Sequence, residues 1–268
     1  PGNTYPFPSP VPRGNILRVL PASPVNSGSP RACSRCVMDT SDPDIVFDAR
    51  GGCIHCHVYD RNVLARVHTG ADGGERLRVL VERIKAEGRR REYDCVIGVS
   101  GGVDSTYVAW KVKELGLRPL AVHLDNGWDS ELAVKNIEQT LNKVGIELHT
   151  HVLDWNEFRD LQLSFLKASV PDAEIPSDHA IVALLFQMAR KVSIRWILSG
   201  VNQRTESHLP RAWSQGHLDW KYIREIHRRF GTSPLTTFPR QGFLRTILDR
   251  ISLRWVDILN YVDYSKKE

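Results

Sequence analysis

Tyr93-Asp94-Cys95-Val96-Ile97-Gly98-Val99-Ser100-Gly101-Gly102-Val103-Asp104-Ser105-Thr106 is the stretch on which the reading of this chain turns. A short apolar run entering a glycine turn reads as a buried strand. A helix follows from Val103 to Leu115, with Gly116 as its stop. Glycines let the backbone approach an anion closely, and the amides of a helix N-terminus point at it. Ser100, Ser105 and Thr106 add hydroxyl donors for phosphate oxygens. Asp104 cannot welcome phosphate itself, so its natural role is to hold a magnesium ion that bridges the phosphates. No Gly-Lys-Ser/Thr follows the glycines, so the loop is not of the Walker type.

Working outward, strands and helices alternate. Arg118 to Leu124 reads as a second strand ending at Asp125-Asn126-Gly127, and Ser130 to Val144 as a helix stopped by Gly145. Glu147 to Val152 is a third strand and Trp155 to Ala168 a helix. Ser177 is expected to cap a helix over 178–192. Ile194 to Leu198 is a fourth strand running into Ser199-Gly200. Upstream, 74–91 reads as helix; downstream, 219–230 and 242–261 do. This spacing predicts an α/β fold, a parallel sheet with helices on both faces. Such sheets bind ligands at the carboxyl ends of their strands, which makes Asp125, Ser199 and Gly200 candidate nucleotide contacts. Each also reads as a plain turn residue.

Four segments are expected: a flexible proline-rich leader over 1–30, a metal module over 31–60, the loop-bearing domain over 74–210 and a helical region over 211–268. The net charge of +5 and the pI near 9.0 permit anionic partners without naming one. No apolar run of about 18 residues is present, so a membrane span is not expected. The start of the sequence lacks the pattern of a secretory signal, and the cysteine usage fits a cytoplasmic setting.

Cys33-Ser34-Arg35-Cys36 and Cys53-Ile54-His55-Cys56 are two CxxC knuckles separated by 16 residues. The interval can return the chain and complete a tetrahedron of Cys33, Cys36, Cys53 and Cys56 around zinc. A closed four-thiolate shell leaves no position for substrate, so the zinc is expected to be structural. His55 and His57 are alternative ligands; an iron–sulfur cluster or redox thiols are the other readings. Cys95, inside the first strand, reads as core.

The seven residues Ser100 to Thr106 match the Ser-Gly-Gly-x-Asp-Ser-[Ser/Thr] motif and resemble the PP-loop of the ATP-pyrophosphatase superfamily (adenine nucleotide alpha hydrolase-like, HUP-like). The resemblance implies cleavage of ATP between the α and β phosphates, with AMP left on the substrate. A second resemblance is carried by Cys33 to Ile45, Phe47-Asp48, Gly52 to Cys56, Leu124 to Trp128, Ile175 to Ile181, and Leu198-Ser199-Gly200 with Asn202, Thr205, Glu206 and Ser207. These look like the N-acetyl sugar amidotransferases (WbpG/PseA-type) of bacterial surface-polysaccharide and lipopolysaccharide synthesis. That family implies adenylation of an acetamido group on a free or UDP-linked sugar acid, then displacement of AMP by ammonia to give an acetamidino group. It also implies a separate glutaminase (HisH/HisF-like) partner as the ammonia source, and relatives that extend beyond residue 268. No membrane or nucleic-acid partner is expected. Under this reading Asp178 and His179, before a helix, are candidate contacts to ATP, magnesium or substrate, against a cap-or-core role. Asn202, Glu206 and Ser207 are candidate substrate contacts, against a loop-ordering role. The competing reading is a tRNA-modifying enzyme of the thiolase type, which would need a catalytic cysteine near the loop; only Cys95 is close in sequence.

Overall fold

A computed structural model describes residues 30–206, 210, 213 and 216–264. The leader expected over 1–30 lies outside the described residues except at residue 30, and so does Ser207. Five parallel strands form one sheet: β1 (Cys95–Gly98), β2 (Pro119–Asp125), β3 (Glu147–Val152), β4 (Trp196–Ser199) and β5 (Arg254–Asp257), in the order β3-β2-β1-β4-β5. The helices before β5 are α1 (Ile54–Val58), α2 (Gly70–Gly88), α3 (Val103–Glu114), α4 (Glu131–Val144), α5 (Trp155–Lys167), α6 (Ile175–Lys191), α7 (Gln203–Glu206), α8 (Trp220–Phe230) and α9 (Phe243–Ser252).

Strand parity explains the two-sided core. Cys95, Ile97 and Val99 join Ala121, Trp196 and Leu198 against α2, α3 and α4, through Leu77, Val81, Val108, Val112, Ile137 and Leu141. Val96, Leu120, Val122, Leu124 and Ile197 face the other way, onto Phe158, Leu161 and Phe165 of α5, Leu184 and Leu185 of α6 and Ile223 of α8. Phe158, Leu161 and Phe165 are wholly buried, each side chain contributing about 1.5–3 kcal/mol by area. The expected doubly covered parallel sheet is therefore present. The strand order turns outward in opposite directions from β1 and β4, so their carboxyl ends flank the switch point, where such sheets open a crevice.

Ser130 caps α4 by accepting from the Ala133 amide, and Gly145 closes it in the left-handed conformation, as its position after the helix requires. Several boundaries differ from expectation; the helix expected over 74–91, for one, is Gly70–Gly88. Helix α6 begins at Ile175 with Pro176 in its first turn, where the missing N–H costs nothing; Ser177 is therefore inside the helix and does not cap it. The fourth strand starts at Trp196 because the Ile194 amide still bonds to the Ala189 carbonyl at the exit of α6.

The largest difference lies near the C-terminus. The helix expected over 242–261 ends at Ser252, and Arg254–Asp257 becomes β5, so the last segment is not wholly helical. Leu244, Ile247, Leu248, Ile251, Trp255, Ile258 and Leu259 keep a three-four spacing across the break, with no glycine or proline to mark it. Pairing with β4 overrides that local pattern: the Arg254 amide donates to the Arg195 carbonyl at 2.7 Å. Helix α9 turns Thr246 and Asp249 inward, where Asp249 accepts from Arg190 and Gln241, and leaves Leu244, Leu248 and Ile251 exposed. Among the described residues, no helix is long and apolar enough to cross a membrane.

Candidate active site and cysteine module

The loop after β1 is built by its own residues and braced by neighbours. The Val99 amide still bonds to the Val122 carbonyl, so the chain leaves the sheet at Ser100. Gly101 has φ +75°, and a Cβ there would lie 2.4 Å from the Ala133 carbonyl oxygen, so only glycine fits. The Ser105 hydroxyl donates to the Gly102 carbonyl at 3.0 Å and accepts from the Ser100 amide at 3.2 Å, closing the loop on itself. Asn136 of α4 donates to the Gly101 carbonyl at 3.2 Å. Helix α3 then starts with no side chain capping its first turn. A helix start without a side-chain cap leaves first-turn amides for an anion, and Ser100, Gly102 and Val103 are exposed beside them. Asp104 and Thr106 are half-buried in that same turn.

Ser199 and Gly200 leave β4 directly beside this turn. A Cβ on Gly200 would sit 3.5 Å from the Asp104 carbonyl carbon and the Ser105 nitrogen, so the two backbones are nearly in contact. Ser199 is buried and accepts from the Val201 amide. Asp125 ends β2 one strand away; its carboxylate accepts from the Gly127 amide at 2.9 Å, which orders the turn. The structure thus brings Ser100 to Thr106, Asp125, Ser199 and Gly200 to one sheet edge.

The tentative substrate residues divide. Asp178, at the start of α6, keeps an exposed surface, but desolvation of its carboxyl by the surrounding atoms, with Asp172 and Glu174 nearby, raises its pKa above the ordinary value against the pull of His217. His179 is fully buried, and its ring lies close to parallel with those of Trp220 and Phe238, the three centroids 5.6, 6.3 and 6.0 Å apart in a triangle. Its Nδ1 lies 2.7 Å from the His217 carbonyl and its Nε2 accepts from the Gln241 amide at 3.0 Å, a pattern that only the neutral Nδ1–H form satisfies. Burial accordingly lowers its pKa to about 4. This burial and bonding fit the core role that its position in the sequence left open beside a ligand role. Asn202 is buried and caps α7: its Oδ1 accepts from the Arg204 amide, while Glu206 reaches back to the Asn202 amide at 3.1 Å. Both residues order the loop after β4.

Sequence reasoning assigned no role to His123, Asp129 or Asn136. His123, buried in β2, places Nδ1 3.0 Å from the Val99 carbonyl and Nε2 3.3 Å from Asp129, tying the first two strand exits together. A histidine inside an otherwise apolar strand was the available signal; Asn136 offered none.

The four cysteines converge. Their sulfurs all lie within 4.8 Å of one another, with Cys33 to Cys56 at 3.9 Å and Cys36 to Cys53 at 3.6 Å. A zinc–sulfur distance of about 2.3 Å in a tetrahedron gives sulfur–sulfur edges of about 3.8 Å, so the set fits zinc. Although burial opposes ionisation of Cys33, amides of Arg35, Cys53 and Cys36 bring its thiol down to about 6. Burial and the adjacent thiols push Cys56 up, since several thiolates cannot share one site without a cation. His55 and His57 are not part of the set: they pair with Asp42 at 2.5 Å and Asp48 at 2.7 Å. Cys95 is fully buried in β1, and burial pushes its thiol far above the usual range.

No protein-family model and no curated protein matches this chain. Among solved structures it is similar to the NH3-dependent NAD synthetase of Campylobacter jejuni, at 13% identity over 59% of this chain and 73% of that one, with a TM-score of 0.39. The NMN synthetase of Francisella tularensis shares 15% identity over 65% and 79%, with a TM-score of 0.41. A predicted subunit of tRNA methyltransferase from Methanocaldococcus jannaschii shares 20% over 58% and 73%, with a TM-score of 0.32. Likeness at this level assigns no activity.

Proposed function

We propose that the chain is an ATP-dependent amidotransferase that adenylates an acetamido group on a free or nucleotide-linked sugar acid and replaces its oxygen with ammonia-derived nitrogen. The observation that carries the ATP reading is the Gly101–Gly102 turn entering an uncapped helix start, with Asp104 in the first turn and Gly200 against it. The sugar reading rests on the resemblance carried by the cysteine knuckles and the segments 124–128 and 175–181.

In this reading the amides of the loop and the Ser100 and Thr106 side chains receive the β and γ phosphates, while the Ser105 hydroxyl, committed to the Gly102 carbonyl and the Ser100 amide, braces the loop and does not donate to phosphate as the sequence suggested. Asp125, Ser199 and Gly200 border the nucleoside. Asp104 would hold magnesium, which supplies charge neutralisation for the departing pyrophosphate. The amide oxygen attacks the α phosphorus, and the bond to the bridging oxygen breaks, sending its electron pair out with pyrophosphate. Ammonia then adds to the activated carbon and loses a proton, and AMP leaves with the former amide oxygen. Adenylation is needed because amide oxygen is a poor leaving group. No protein nucleophile enters; the loop contributes fixed donors where charge develops. Ser100 is the exposed hydroxyl closest to that role, and Asp178 and Ser207 are candidates for substrate contact. The ammonia would come from a separate glutaminase, and zinc in the cysteine module would be structural.

A tRNA thiolase has less support: Cys95, the cysteine outside the zinc set, is fully buried. The test is mass spectrometry of acetamido sugars incubated with ATP, magnesium and ammonium. Exchange of one oxygen for NH in one sugar is the expected result. No exchange in any sugar, with modification of a tRNA nucleoside instead, would replace this reading with the thiolase one.

A further inference from the structure

Tyr59 follows the last zinc-type cysteine by three residues, yet its hydroxyl donates to the carbonyl of Arg204, 145 positions away, at 2.9 Å. Arg204 sits in α7, a single turn of four residues that cannot hold itself in place. Its position is set from outside: by the Asn202–Glu206 cap, by Gln203 donating to Asp257 of β5 at 2.8 Å, and by Tyr59. The same arginine reaches onward. Its Nη1 donates to the Tyr264 carbonyl at 3.1 Å and its Nη2 to the Val262 carbonyl at 3.0 Å. Tyr264 packs its ring on Tyr107 of α3, with centroids 4.6 Å apart. Burial, together with the Asp104 carboxylate beside it, pushes the Tyr264 phenol up to about 12. Gly200, which leads into the Arg204 turn, therefore lies against the first turn of α3, and Tyr264, held by Arg204, packs on Tyr107 of the same helix with its phenol beside Asp104. Trp213, packed on the cysteine cluster, makes a second link between the module and the chain after β4.

We infer that Tyr59 and Arg204 are positioning residues through which the cysteine module fixes the wall of the phosphate site, so that the module sets ATP affinity without touching ATP. The inference rests on the ATP reading of the loop. Tyr59→Phe keeps the ring and removes only the donated hydrogen bond.

The test uses the full zinc-loaded chain and the probe α,β-methylene ATP with magnesium, measured by calorimetry alongside zinc content and melting temperature. Tyr59→Phe is expected to weaken binding about 3- to 10-fold, the scale of one hydrogen bond, with zinc and melting temperature kept. Arg204→Ala is expected to weaken it at least as much, and the double variant no more than Arg204→Ala alone. Wild-type affinity in Tyr59→Phe, full additivity in the double variant, or loss of zinc from Tyr59→Phe would each overturn the inference. If the wild-type chain itself fails to bind the probe, the ATP reading falls and this inference falls with it.

Discussion

A Cβ on Gly101 would lie 2.4 Å from the carbonyl oxygen of Ala133, closer than any side chain can approach a backbone atom. The loop and the start of α4 are thus pressed together at a position that also needs φ +75°. Gly101→Ala is expected to cost at least about 2 kcal/mol in urea unfolding and to abolish ATP binding. A variant that binds ATP normally would show that the loop does not depend on this approach.

Asp104 stands in the first turn of α3, beside Gly200 and the Tyr264 phenol. Asp104→Asn keeps the shape and removes the charge. Turnover is expected to fall by about a hundredfold or more, with weaker magnesium dependence and an unchanged melting temperature. Titration of magnesium against the bound ATP analogue checks this; equal magnesium affinity in both proteins would exclude Asp104 as the ligand.

The sulfurs of Cys36 and Cys53 are 3.6 Å apart, as two corners of a zinc tetrahedron should be. Purified protein is expected to carry one zinc per chain by elemental analysis, and Cys36→Ala far less. Chelation should make the segment around 31–60 sensitive to protease while the sheet resists, because metal binding supplies much of a small module's folding energy. Iron in place of zinc would contradict the assignment.

His179 gives a pH dependence of known sign. Its folded pKa, about 4, lies below the ordinary value of 6.5, so the unfolded chain binds the extra proton between those limits. Stability is then complete above pH 6.5 and falls as pH drops toward 4, by about 3 kcal/mol at most. Burial lowers His151 as well, so the comparison must be with a variant. Urea midpoints at pH 7 and pH 5 should converge in His179→Gln; an unchanged difference would show that another group carries the effect.

The loop was legible because its strand, turn, acid and helix are consecutive, and each residue's geometry is local. The four cysteines were legible for the same reason within each knuckle, and their distances then agree with the spacing argument. What lay beyond reach depends on contacts across the chain. Nothing in the sequence around Asn136 says that it reaches Gly101, and nothing near Tyr59 points to Arg204. Strand β5 was hidden because Trp255, Ile258 and Leu259 continue a helical spacing that only pairing with β4 interrupts. For His179, Asn202 and Glu206, the sequence left ligand and structural roles open; burial of the first two and the hydrogen bond from the Asn202 amide to Glu206 fit structural roles.

The most direct test of the central claim is the nucleotide product. With ATP, magnesium, ammonium and an acetamido sugar acid, chromatography should show AMP and pyrophosphate formed in equal amounts with amidinated sugar. Formation of ADP and phosphate, with no AMP, would contradict the account.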